Sequence, residues 1–285
     1  MKAQLDNILM SSMTYWVDNI LLKKGQAYTN YSSFFYPINN MYNNYYTYSL
    51  PFKQIVCDSS INGANLLSGV YINGVFNPIG QNALVGVNPN LGQIYFNTNQ
   101  SSNTISGNYA VKDMNVYLTS DAEENVLFEN QYKTTPKTYQ NPTGIPTNSI
   151  TYPAIFLKNN GSSNKAFAFG GEDSTEINVR AIILADNTFH LDAVFSIFRD
   201  SYHSYIPLIS LNESPYNSIQ SLKVLPNNGY YNYATLSQEK ISSNQAFYIE
   251  RVEISSILKL DNTLNSEVYP GIVDFTLSNI RNPRS

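Results

Sequence analysis

From Leu5 to Leu22 the apolar residues Leu5, Ile8, Leu9, Met13, Trp16, Val17, Ile20 and Leu21 fall at i, i+3 and i+4. That spacing predicts an amphipathic α-helix over 5–23. Lys23 and Lys24 suit the negative end of its dipole, and Gly25 supplies a C′ stop. Such a helix lays its apolar stripe on its own domain or on a neighbouring subunit. A membrane surface suits it less, because its polar face carries few Lys or Arg.

The period is lost over 26–50, where Tyr31, Phe34, Phe35, Tyr36, Tyr42, Tyr45 and Tyr46 lie among Ser and Asn. Loops of this length without structure of their own usually serve a purpose. The segment is expected to be a Tyr-rich loop or arm, either an interface element or a cover over its own core. Tyr combines a large contact area with a polar tip.

Short strand-like runs take over from Pro51: 54–58, 68–76 in two halves around Asn73-Gly74, 83–87, 93–96, 109–111 and 115–118. Asn-Gly is the strongest two-residue hairpin signal, and Asn77-Pro78, Asn88-Pro89, Leu91-Gly92 and Ser106-Gly107 separate the rest. Strands at intervals of about 8–12 residues predict a sandwich or barrel. Residues 133–148, with Pro136, Pro142, Gly144 and Pro146, read as a connector or surface arm.

Strands at 154–157 and 166–169 then flank a turn at Gly161-Ser162-Ser163-Asn164. The apolar run 177–184 predicts a central strand. Asp186-Asn187-Thr188 opens a short helix near 190–200, capped by Asn187 or Thr188, and two long strands, 246–257 and 271–280, close the chain. The expected fold is mainly β, α+β at the margin, with an antiparallel sandwich or barrel-like core and two helices. The chain divides into a helix at 1–25, the Tyr-rich arm at 26–50, a β region at 51–132, the connector at 133–148 and a β region at 149–285. The two β regions are expected to form one compact unit.

Composition narrows the function classes. Charged residues are 13% of the 285, roughly half the usual share, and 38 Asn and 31 Ser take their place. The Asn excess reflects either a neutral hydrogen-bonding surface or AT-rich coding. A net charge of −4 without a basic stripe argues against a nucleic-acid groove. No apolar run approaches the roughly 18 residues of a spanning helix, and Asp6 interrupts what would be the apolar region of a secretory signal. The single cysteine, Cys57, excludes an intrachain disulfide and reads as a buried strand residue.

Candidate chemistry is thin. His190 and His203 stand alone, without a second histidine at ligand spacing. Gly170-Gly171-Glu172-Asp173 lacks the alternating acids of a calcium loop and reads as a tight turn. Asp121, Glu123 and Glu124 read as a solvated helix start or turn, and neither acidic group is placed as a glycosidase pair. No catalytic, cofactor-binding or metal-ligating residue is assigned.

The run Asn65 to Phe76, followed by Gly80, Leu84 to Asn88 and Gly92 to Phe96, resembles a strand array of tailed-bacteriophage virion proteins. So do Ile177 to Asp186, Leu191 to Asp200, Ile206 to Leu208 and Gly271 to Ile280. The resemblance implies a non-enzymatic structural protein of the neck or tail, of the head-to-tail connector or tail terminator type. It would be a homo-oligomeric ring of about six or twelve copies, as closed heterologous symmetry allows, located in the virion and contacting neighbouring virion proteins. It implies no cofactor, no membrane and no sequence-specific nucleic-acid partner. The interface is expected at Tyr31, Phe34, Phe35, Tyr42, Tyr45 and Tyr46, and at Tyr230, Tyr231 and Tyr233 in an aromatic tip after Asn227-Asn228-Gly229. The competing reading is a non-catalytic carbohydrate-binding or adhesin-like β-sandwich.

Overall fold

A computed structural model describes residues 4–42, 44–129, 134–136, 150–167, 171–215, 230–256 and 268–281. The chain opens with helix α1 (Leu5–Lys24). Strands β1 (Tyr28–Phe34), β2 (Tyr36–Tyr42) and β3 (Tyr45–Ser49) follow, then β4 (Gly69–Ile72), β5 (Val75–Pro78), β6 (Leu84–Asn88) and β7 (Gln93–Phe96). Next come β8 (Ile105–Lys112), β9 (Asn115–Leu118), a π-helical turn at Asn125–Glu129, β10 (Thr134–Pro136) and β11 (Ile150–Tyr152). The remainder holds β12 (Ala154–Ala166), β13 (Asp173–Ala185), α2 (Thr188–Arg199), β14 (Tyr205–Pro207), α3 (Tyr233–Ser242), β15 (Ala246–Ser256) and β16 (Tyr269–Arg281).

Two four-stranded antiparallel sheets, β1-β8-β4-β5 and β2-β3-β7-β6, face each other as a sandwich. Their inward residues, among them Phe35, Leu50, Phe52, Val70, Ile94, Phe96 and Tyr109, form one core. The chain crosses between the sheets at Phe35, which is buried and donates its N–H to Ile105 O at 2.9 Å. Asn73 and Gly74 have φ of 50° and 84°, the primed-turn geometry that joins β4 to β5. The expected strand at 54–58 is absent as a strand; Ile55 and Asp58 make only isolated bridges, to Val111 and Tyr231.

A six-stranded sheet, β14-β15-β16-β13-β12-β9, carries the second half. The expected central strand is β13, which pairs with β12 and β16 over its length. Its inner face, including Ile155, Leu157, Val179, Ile183, Phe275 and Leu277, packs against α1 and α2. Asn187 caps α2, its side chain accepting from the His190 N–H at 2.7 Å. Helix α3 has no counterpart in the hydrophobic pattern, because Tyr233 is its one buried residue.

Four expectations change. The 26–50 segment is three sandwich strands rather than a loop: Tyr28–Phe34 pairs along β8, and Tyr45–Ser49 is paired on both sides, with β2 and β7, and buried from Thr47 to Ser49. Gly161 to Asn164 is not a turn: β12 runs through it with a register shift between Asn159 and Ser162, a bulge. Helix α1 is not amphipathic in its second half, where every residue from Tyr15 to Leu22 is buried between the sandwich and the sheet. Gly25 ends that helix in αR geometry, and the left-handed residue is Gln26. In the expected connector, Thr134–Pro136 pairs in parallel with Ile150–Tyr152; 137–148 lies outside the described residues.

Candidate functional site

The six-stranded sheet has two incompletely covered edges. At one, β9 pairs with β12 only over Ala154 to Leu157. Among the described residues, no strand pairs with the outer edge of β12 from Lys158 to Ala166, and the side chains from Asn160 onward are exposed. At the other, β14 pairs with β15 only from Ala246 to Tyr248, and among the described residues no strand pairs with the outer edge of 250–256. Rows of unpaired N–H and C=O groups of this length are templates for pairing with another chain. The two differ in charge: 158–166 carries Lys158 and Lys165 and no acid, whereas 250–256 carries Glu250, Arg251 and Glu253.

Between these edges the outer face of the sheet is polar at the end that carries Asn160, Glu176 and Asn178, while at the other end Phe156, Ile182 and Leu184 are buried with Val126 and Leu127. A groove of about 460 Å³ is lined by Asn160, Glu176, Asn178, Glu250, Arg251, Glu253, Asp274 and Thr276. Arg180 anchors its floor, its Nε and Nη2 donating to Asp274 at 2.7 and 2.8 Å and its Nη1 to Glu123 at 2.5 Å. These carboxylates push the guanidinium pKa upward. Glu123 is therefore an ion-pair partner rather than a free member of an acidic cluster.

A second polar cluster lies where α1 meets the sandwich. Lys112 Nζ donates to Asp18 Oδ2 at 2.7 Å, and both side chains are almost fully buried. At the next residue, Asn19 Nδ2 donates to Asp58 Oδ2 at 2.8 Å and Ser60 Oγ at 3.1 Å. Asp58 Oδ1 accepts the Tyr233 N–H at 3.0 Å. Burial pushes the Asp18 pKa up despite Lys112, and that of the Tyr233 hydroxyl up as well. These buried polar groups tie α1 and Tyr233 to Asp58 and Lys112 of the sandwich half.

The expected interface aromatics are mostly internal. Phe35, Tyr231 and Tyr233 are buried, which takes them out of any surface contact. Tyr31 is half-buried, its ring 4.6 Å from that of Phe52, and Tyr46 packs on the sandwich core. Tyr45 and Tyr230 are half-buried, and Tyr42 pairs with Tyr45 across the β2–β3 turn. Among these residues, Phe34 is exposed, at 54%. There is no aromatic tip at 230–233: Asp58 bridges Tyr231, and α3 starts at Tyr233. Burial overturns the interface expectation for Phe35, Tyr231 and Tyr233, whose rings fill the core.

The remaining candidates are structural. His190 Nδ1 lies 2.6 Å from Asp186 Oδ1 at the start of α2, and His203 sits at φ 63° with its ring against Tyr202. Cys57 is buried, as expected. Phe167 N–H donates to Glu172 O at 2.9 Å, closing the β12–β13 turn, and Gly170 lies outside the described residues. Among the described residues, no three His, Cys, Asp or Glu side chains gather as metal ligands. No described helix is long and apolar enough to cross a membrane.

Sequence reasoning missed the open edges. A strand exposed on both faces, such as Asn160 to Ala166, has no hydrophobic alternation to reveal it. The only signal is the polar run of Lys, Asn, Gly and Ser from Lys158 to Lys165. No protein-family model matches the chain, and no curated protein matches it.

Proposed function

We propose that this chain is a non-enzymatic structural protein of a tailed-phage virion, assembling into a closed ring at the neck or tail. Copies join through the open edges of the six-stranded sheet. The observation that carries the reading is that, among the described residues, one sheet leaves two different edges without a pairing strand, β12 on one side and β15 on the other. Two different patches on one subunit make a heterologous contact, which closes into a ring when the rotation allows.

Strand direction favours this joint. β12, β13, β16 and β15 alternate in direction, so β12 and β15 run opposite ways. Rotation about a ring axis preserves that relation, and β15 of the next copy would meet β12 antiparallel. Charge and side-chain facing then select a register. Lys165 and Glu253 both point to the outer face, and placing them opposite each other pairs 162–166 with 256–252. Without stagger, Lys165 stands in line with Ser174 and Ile280, and so with Ala246, two residues from the Tyr248–Ser278 pair. Glu253 is seven residues further along, one of them absorbed by the bulge at Glu250. The joint is therefore staggered by six ladder positions, roughly 20 Å at about 3.3 Å per residue. That stagger clears both β14 and β9, and in a closed sheet it appears as strand tilt.

Five paired residues contribute about 2.5–7 kcal/mol at the usual net worth of a hydrogen bond. Association costs about as much. Single joints are weak, and the ring forms cooperatively at high local concentration. The exposed Lys–Glu pair adds little affinity and chiefly sets register.

Electron microscopy of the concentrated full chain tests the proposal. Rings of six- or twelve-fold symmetry are expected. Lys165→Glu and Glu253→Lys should each weaken ring formation, raising the concentration at which rings appear, with unchanged melting, and the double exchange should restore it. Absence of rings, or rings indifferent to both reversals, refutes the joint. Antibody labelling of virions anywhere but the neck or tail refutes the location.

A further inference from the structure

The outer face of the sheet β1-β8-β4-β5 carries a different chemistry from the open edges of the six-stranded sheet. One cross-strand row holds Phe34, Ser106, Tyr71 and Phe76, in register across four strands. Val70 and Asn77, one position along, face inward, which puts this row on the solvent side. The Tyr71 and Phe76 rings lie 5.3 Å apart at 59°, and Phe76 is 46% exposed. Beside them is a groove of about 340 Å³, lined in part by Asn65, Ser68, Gly69 and Asn108. A side chain at Gly69 would place its Cβ 2.7 Å from Phe76 Cζ, so the missing side chain is what lets the ring lie over the backbone.

From this we infer a binding site for a neutral saccharide. None of the groove residues is Asp, Glu, Lys or Arg, so nothing there pairs with a charged ligand. The side chains of Asn65, Ser68 and Asn108 make no hydrogen bond within the described chain, and Asn65 engages Asn30 only through its backbone N–H. Each amide offers both donors and acceptors, which matches vicinal hydroxyls that donate and accept together. The negative faces of Tyr71 and Phe76 suit the C–H faces of a sugar ring. A purely apolar ligand would bury these amides without partners, at a cost. The volume falls at the small end of the roughly 300–1,000 Å³ of small-molecule sites, enough for a short segment of a chain. The inference does not depend on ring formation.

Saturation-transfer NMR and calorimetric titration of the full chain test it, with maltotetraose, cellotetraose and chitotetraose as probes and sialyllactose as the charged comparator. At least one neutral probe should bind saturably with a Kd of about 1 mM or tighter, as expected of a shallow site. Phe76→Ala and Asn108→Ala should each weaken it about tenfold with unchanged melting, a loss on the scale of one aromatic or hydrogen-bond contact. Four outcomes overturn the inference: no neutral probe saturates, sialyllactose binds equally, binding survives both variants, or the variants alter only self-association. The last assigns the patch to a subunit contact.

Discussion

Removing Lys112 probes the junction that holds α1 between the two β units. In Lys112→Met the Asp18 carboxylate stays buried, its Oδ2 loses a partner at 2.7 Å, and its Oδ1 has none to begin with. At that distance and an effective dielectric constant of about 20, the lost attraction is about 6 kcal/mol. The folded state limits the loss by protonating Asp18, and removal of one partner of a buried pair typically costs about 3–5 kcal/mol. The expected fall in melting temperature is about 2–4 °C per kcal/mol for a chain of this order of size. The sign with pH follows from the direction of the shift. Burial holds the folded Asp18 pKa above its unfolded value, so the penalty grows as pH rises above the ordinary carboxylate range and shrinks toward pH 4. Replacing both residues, Asp18→Leu with Lys112→Met, should return stability to within about 1 kcal/mol of the parent, since apolar substitutes avoid desolvating two charges. Urea unfolding followed by Trp16 fluorescence reads this directly, because Trp16 is the only tryptophan and is 4% exposed in the same helix. A single-variant loss below about 1 kcal/mol, a loss independent of pH, or a double variant no better than the single would refute the reasoning.

Lys53 is 4% exposed, and burial lowers its pKa to about 8. The unfolded chain thus binds more protons between pH 8 and 10.5, so parent stability should climb with pH across that window. Lys53→Met should flatten the climb and raise stability at pH 7 by at most about 3 kcal/mol, read by urea titration at several pH values. Gly92 has φ 61°, and a Cβ there would lie 2.0 Å from Phe52 O. Gly92→Ala should cost at least about 2 kcal/mol, combining left-handed strain with the clash; a melting temperature equal to the parent's would contradict this.

Where hydrophobic period was strong, the sequence was a good guide. The helix at 5–23, the Asn73-Gly74 hairpin, the strands at 93–96 and 115–118 and the Asn187-capped helix all appear at those positions or within a residue or two. It misled where local composition has two physical uses. Tyr31, Tyr48 and Tyr109 form sandwich core by burying rings while their hydroxyls find partners or solvent, and nothing local separates that from an interface loop. Tyr231 and Tyr233 are buried through contacts with Asp58, more than 170 positions away. A distant acid of this kind leaves no trace in a local pattern. The open edges were invisible for the opposite reason: 158–166 gains nothing from burial, so no alternation marks it, and only the pairing of β12 with β13 shows it to be a strand.

Covalent trapping tests the ring joint most directly, because it captures contacts too weak to survive dilution. In the proposed register Ser163 of one copy would face Ser255 of the next, and Cys57 is buried and out of reach. Mild oxidation of the Ser163→Cys, Ser255→Cys double variant should give a ladder of cross-linked species ending in a closed ring, while neither single variant cross-links. A double variant that stays monomeric under oxidation, or a single variant that forms dimers through a self-complementary contact, would contradict the account.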